Sequence, residues 1–84
     1  MYIYPFKDKL TIELHPSIAI KNGLMIKIYD AAGRLVRKLN QNGHEPAIVW
    51  HGDDDSGQRL SNGIYFLQMT LNDELITKKA LMVR

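Results

Sequence analysis

The chain has no cysteine, which removes disulfide staples, thiolate zinc sites and thiol nucleophiles from consideration. No apolar run approaches the roughly 20 residues of a membrane-spanning helix, and no stretch has the make-up of a secretory signal peptide. Neither sign of charge is in real excess: 11 Lys plus Arg against 9 Asp plus Glu leave a formal +2, too little to mark a chain built around phosphates. Helical periodicity is scarce. There is no Walker loop, no G-x-G-x-x-G, no G-x-S-x-G elbow and no H-E-x-x-H, so no cofactor and no catalysis are expected. What is present is an ordinary folding composition, 45% hydrophobic and 24% charged over 84 residues. That suffices for one domain, residues 1–84, and excludes a disordered tail.

Period-two alternation dominates. Leu10, Ile12 and Leu14 fall on one face of a strand that His15-Pro16 closes, since proline offers no ladder donor. After the Lys21-Asn22-Gly23 turn, Leu24, Ile26 and Ile28 share a face of a second strand. Asp30-Ala31-Ala32-Gly33 is a tight connection into a third strand, residues 34–39, whose alternation puts Arg37 with Leu35 and Leu39, and Arg34 and Lys38 with Val36. Residues 40–46 read as a loop, Ala47-Ile48-Val49-Trp50 as a short strand, and residues 51–63 as the longest irregular stretch. Residues 64–71 form the strongest strand, apolar on both faces at its start, which predicts a central position. Asn72-Asp73 then turns the chain into a last strand. The pattern predicts an all-β protein, a small antiparallel sandwich of about six to seven strands.

Few constellations carry chemistry. Asp53-Asp54-Asp55-Ser56-Gly57 invites a calcium reading. Placing Gly57 at the sixth loop position of an EF-hand, however, puts Gly52 at the first and Gly63 at the twelfth, where carboxylates are required. A turn stabilised by side-chain bonds to its own amides accounts better for the run. His15, His44 and His51 show no metal spacing, and Ser17, Ser56 and Ser61 have no base and acid in order. The basic residues Lys7/Lys9, Arg34/Arg37/Lys38 and Lys78/Lys79 are scattered and make no nucleic-acid track. Lys78 and Lys79 point to opposite faces, one of them at a rim or edge. Trp50, Tyr65 and Phe66 could line a sugar-binding face, but Trp50 and Phe66 read as core; Tyr2, Tyr4 and Tyr29 read as exposed.

Five segments stand in a fixed order: Tyr2-Ile3-Tyr4-Pro5-Phe6, the hairpin Ile28-Tyr29-Asp30-Ala31-Ala32-Gly33-Arg34-Leu35-Val36, the loop Trp50-His51-Gly52-Asp53-Asp54-Asp55-Ser56-Gly57, Ser61-Asn62-Gly63-Ile64-Tyr65-Phe66, and Thr77-Lys78-Lys79 before a last apolar strand. This order resembles the C-terminal domains of bacterial proteins exported by the type IX (Por) secretion system. It also resembles the related immunoglobulin-like domain of flagellar hook-capping proteins. Ile3, Tyr4 and His51 depart from the family's Y-P-N-P-F and W-D-G patterns. The resemblance implies an immunoglobulin-like β-sandwich that is a non-catalytic module at the C-terminus of a larger exported protein. Its partners would be the fused cargo, the outer-membrane secretion translocon and a sortase-like protease, and its destination the cell surface or exterior by way of the periplasm. Lys78, Lys79, Val83 and Arg84 are carried over as translocon-recognition candidates. Asp30, Gly33, Trp50, Gly52, Asp54, Asp55, Gly57, Gly63 and Tyr65 are signature residues with a structural role. The alternatives are a spacer or assembly module of the hook-capping type, and a carbohydrate-binding domain if Trp50 is exposed.

Overall fold

The alternating segments become strands in the computed structural model, which describes residues 2–6, 8–13, 24–41 and 47–83. They are β1 (Tyr2–Phe6), β2 (Lys9–Glu13), β3 (Leu24–Tyr29), β4 (Leu35–Gln41), β5 (Ala47–Trp50), β6 (Gly63–Leu71) and β7 (Glu74–Met82). All pairings are antiparallel and build two sheets, ordered β1-β2-β5 and β4-β3-β6-β7. The core forms where their alternating faces meet. Leu10, Ile12, Ile48 and Trp50 come from the smaller sheet; Leu24, Ile26, Ile28, Tyr65, Leu67, Met69, Leu71, Ala80 and Met82 come from the larger. Among the described residues no polar or charged residue is buried with them, so apolar burial is the main force holding this core. Leu14, His15, Ser17, His44 and Arg84, like the side chains of Tyr2 and Tyr4, lie outside the described residues.

The strongest strand is central as its sequence predicts: β6 lies between β3 and β7. Its apolar start has a different consequence from the one expected for Phe66. Tyr65 and Leu67 face the core, whereas Ile64 and Phe66 point outward, Phe66 with 37% of its surface exposed. An antiparallel sheet needs only one covered face, so a central strand here is not buried on both sides. Tyr29, expected to be exposed, is half-buried on that same outer face, its hydroxyl 3.4 Å from Gln68 Oε1.

Strict alternation also fails along β4. Ile28 pairs with Arg37 and Tyr29 with Leu35, which leaves Val36 as an extra residue in a β-bulge. The bulge resets the phase, so Val36 and Leu39, an odd number of residues apart, both pack against the core while Leu35 is exposed. Asn72 and Asp73 take positive φ values of 48° and 69° in a two-residue turn closed by the pair Leu71 and Glu74. Such a turn matches the twist of the strands it joins. Residues 51–62 carry the chain from β5 in one sheet to β6 in the other.

Candidate functional site

Two of the segments singled out in sequence are one device used twice. In Asp30-Ala31-Ala32-Gly33-Arg34, the Gly33 N–H donates to Asp30 C=O (3.0 Å) and the Asp30 N–H to Arg34 C=O (2.9 Å). The Asp30 Oδ1 accepts the N–H groups of Ala32 and Arg34, each at 2.9 Å. In Asp54-Asp55-Ser56-Gly57-Gln58 every one of these bonds recurs. Gly57 N–H donates to Asp54 C=O (3.0 Å) and Asp54 N–H to Gln58 C=O (2.9 Å). Asp54 Oδ1 accepts Ser56 N–H (2.9 Å) and Gln58 N–H (2.8 Å). Gly33 and Gly57 hold φ at 86° and 83°, and nothing lies within 4 Å of where a Cβ would stand, so backbone conformation, not space, demands glycine there. The spacing D-x-x-G-x is the sequence signal for the repeat, a turn closed by a left-handed glycine.

The electrostatics follow from these bonds. The Arg34 N–H holds the Asp30 carboxyl below its ordinary value of 3.8, against the opposing effect of desolvation, and the Arg34 side chain and Ala32 N–H add to the lowering. Arg34 Nε lies 2.8 Å from Asp30 Oδ2. Asp55 ties the second turn to the sheet: its N–H donates to Val36 C=O (3.0 Å), and its Oδ1 accepts the Lys38 N–H (3.2 Å). Arg37 Nη1 donates to Asp54 C=O at 3.0 Å, with Nε 3.8 Å from Asp55 Oδ1. The acidic run is thus engaged by backbone amides and β4. Among the described residues no three His, Asp or Glu side chains come together as metal ligands.

Beneath this loop the crossover is locked by aromatic side chains. Trp50 is 1% exposed and its indole N–H donates to Asp53 C=O at 2.9 Å. The Tyr65 ring meets the Trp50 ring edge-on, with centroids 5.3 Å apart at 74°, and its hydroxyl donates to Ser61 C=O at 2.6 Å. Gly52 is buried and its C=O accepts the Leu60 N–H at 2.8 Å; Gly63 opens β6. Burial of Trp50 removes the stacking platform on which a carbohydrate-binding reading depends. Two shallow depressions, of about 320 and 440 Å³, lie over these loops and share Asp30, Arg34 and Leu60.

The recognition candidates lie elsewhere. β7 is an edge strand, and Lys78 and Lys79 stand exposed on its opposite faces, across from Leu67 and Phe66 respectively. Lys78 belongs to the row that includes buried Ala80 and Met82, yet remains exposed. Charge on the inward row of an edge strand opposes unplanned sheet pairing. Val83 exposes its side chain while its C=O accepts the Asp8 N–H at 3.0 Å, and Asp8 in turn pairs with Arg59. Arg84 lies outside the described residues.

Two antiparallel sheets closed over an apolar core, with a tyrosine hydroxyl fastening the start of a central strand to the chain upstream, define an immunoglobulin-like β-sandwich domain. Residues 6–74 match the model of the FlgD Ig-like domain, and the chain belongs to that family. No curated protein sequence matches it. A solved structure from Porphyromonas gingivalis, that of PorZ, described as an essential bacterial surface component of the type-IX secretion system, superposes with a TM-score of 0.69 at 21% identity. That match covers 99% of this chain and 11% of the PorZ chain, and at this identity it is a likeness of fold.

Proposed function

We propose that this domain is a non-catalytic sorting module that directs a fused cargo protein through the type IX secretion system to the cell surface or exterior. The observation that carries the reading is that β7 is an edge strand, hydrogen-bonded among the described strands to β6 alone, with Lys78 and Lys79 both exposed. An open edge can receive a strand of a receptor, with backbone bonds supplying affinity and flanking side chains selectivity. The fold likeness to part of PorZ, a surface component of that system, supports the same direction. In this reading the outer-membrane translocon binds the folded domain and a sortase-like protease then separates it from the cargo.

The test fuses residues 1–84 to a periplasmic reporter in a bacterium that possesses this export system. The reporter reaches the medium or surface with the intact domain, and Lys78→Glu with Lys79→Glu retains it in the periplasm. Retention with the intact domain refutes the proposal. Membership of the FlgD Ig-like family favours a second reading, a spacer or assembly module. Under that reading the fusion stays in the periplasm although the domain is folded.

A further inference from the structure

The outer face of the four-stranded sheet is cationic and apolar together. Its rows follow from the register: Leu35, Tyr29, Phe66 and Lys79 lie side by side across the four strands, and Lys38, Lys27, Gln68 and Thr77 form the next row. Ile64 and Leu81 continue the face beyond the first row, Met25 and Leu75 beyond the second. Leu35 and Leu81 are 44% and 53% exposed. Four strands span about 14 Å and the rows about 20 Å along the strands. That is the footprint of one short polypeptide segment.

No carboxylate belongs to these rows, although the chain has 9 acidic residues. Lys27 and Lys38 are directly opposite on neighbouring strands, an arrangement of like charges that destabilises a sheet. None of the ion pairs formed among the described residues involves Lys27, Lys38 or Lys79. Among the described residues this repulsion therefore has no ion pair to offset it, beside exposed aromatic and aliphatic groups, and a partner bearing negative charge would relieve it.

We propose that this face docks an acidic polypeptide segment that also carries apolar side chains. A second copy of the chain fits poorly, because face-to-face packing sets lysines against lysines. A membrane surface fits poorly as well, since stable attraction to anionic lipid draws on clusters of about 4–8 basic residues. The inference shares Lys79 with the sorting reading but rests on the outer sheet face and not on the β7 edge, and Lys78 on the inward row separates the two.

The experiment records backbone amide NMR spectra of the isotopically labelled chain in three titrations. The probes are a peptide of about 12 residues alternating Glu with Leu and Phe, the same peptide with Lys for Glu, and vesicles of phosphatidylglycerol and phosphatidylcholine. The acidic peptide is expected to shift Lys27, Tyr29, Phe66 and Lys79. The combination Lys27→Gln, Lys38→Gln and Lys79→Gln should weaken it at least tenfold, and Lys78→Gln on the inward row should not. Lys27→Gln alone should bind more weakly while melting higher, which separates lost docking from lost folding. Equal binding of the basic peptide, shifts confined to other surfaces, an equal loss with Lys78→Gln, or tighter binding to the vesicles would each overturn the proposal.

Discussion

Truncation of Asp54 tests whether the repeated D-x-x-G turn is held by its side chain. Asp54→Ala removes the oxygen that accepts the Ser56 and Gln58 amides at 2.9 and 2.8 Å. The closest measured analogue is the helix N-cap, where losing an Asp that accepts such amides costs about 0.5–2 kcal/mol. Two amides are released here, but the turn is exposed and water can replace the lost acceptor, so about 1–2 kcal/mol is expected. In a domain of this size that lowers the melting temperature by roughly 4–8 °C per kcal/mol. Asp54→Asn keeps an oxygen in place and loses only charge assistance, so its cost should be about half as large. Asp30→Ala should cost nearly the same as Asp54→Ala, because the amide pattern is identical and the extra Arg34 contact is a surface ion pair of which Arg34 is 81% exposed. Thermal and urea unfolding followed by circular dichroism supply the measurement. The reasoning fails if Asp54→Ala unfolds within about 0.3 kcal/mol of the parent, or if Asn proves as damaging as Ala.

Tyr65→Phe keeps the ring against Trp50 but leaves the Ser61 carbonyl without its donor; a loss of about 1–2 kcal/mol in urea unfolding is expected, and no loss would show that water takes over the bond. Lys27→Glu replaces a like-charged cross-strand pair with an opposite one, so the domain should gain about 0.5–1 kcal/mol at low salt and less at high salt, as scanning calorimetry would show. Because the folded Asp30 carboxyl is held below 3.8, its contribution to stability is complete above the ordinary carboxylate range and is lost as pH falls through the folded value. Urea midpoints measured from about pH 6 to pH 2 should therefore drop less steeply in Asp30→Asn than in the parent.

The sandwich was legible because its core is written in period two: Leu10 with Ile12, Leu24 with Ile26 and Ile28, and Leu67 with Met69 are all buried as their spacing requires. Trp50 was legible for the same reason, at the end of an apolar strand. Phase was not legible where the backbone departs from regularity. Nothing in Leu35-Val36-Arg37 announces the bulge that makes Val36 and Leu39 neighbours of one core. Phe66 misleads because apolar character at one strand position does not say which face a second sheet covers. The D-x-x-G repeat was present as two separate turn signals, and only the hydrogen bonds identify them as one motif. The acidic run shows the converse: its composition points to a cation, while its bonds commit Asp54 to amides and Asp55 to β4.

That commitment decides where recognition can reside. Immunoglobulin-like domains often bind through loops at one end of the sandwich, and here the loops with the densest charge are those around Asp30 and Asp54. The Oδ1 atom of each already accepts two backbone N–H groups, so a ligand that draws on those oxygens competes with the bonds that hold the turns. The larger sheet has no such conflict, for its lysines and exposed apolar residues can be used without altering a bond that holds the fold. Lys78 and Lys79 then become separate reporters, although they are adjacent in sequence. Lys79 shares the outer face with Phe66 and Tyr29, and Lys78 stands on the inward row at the β7 edge. A partner that adds a strand to β7 should feel both substitutions. A partner that lies across the sheet should lose affinity with Lys79→Glu and tolerate Lys78→Glu. Measuring the two variants side by side therefore distinguishes edge from face, and either pattern locates the contact whatever the partner's identity.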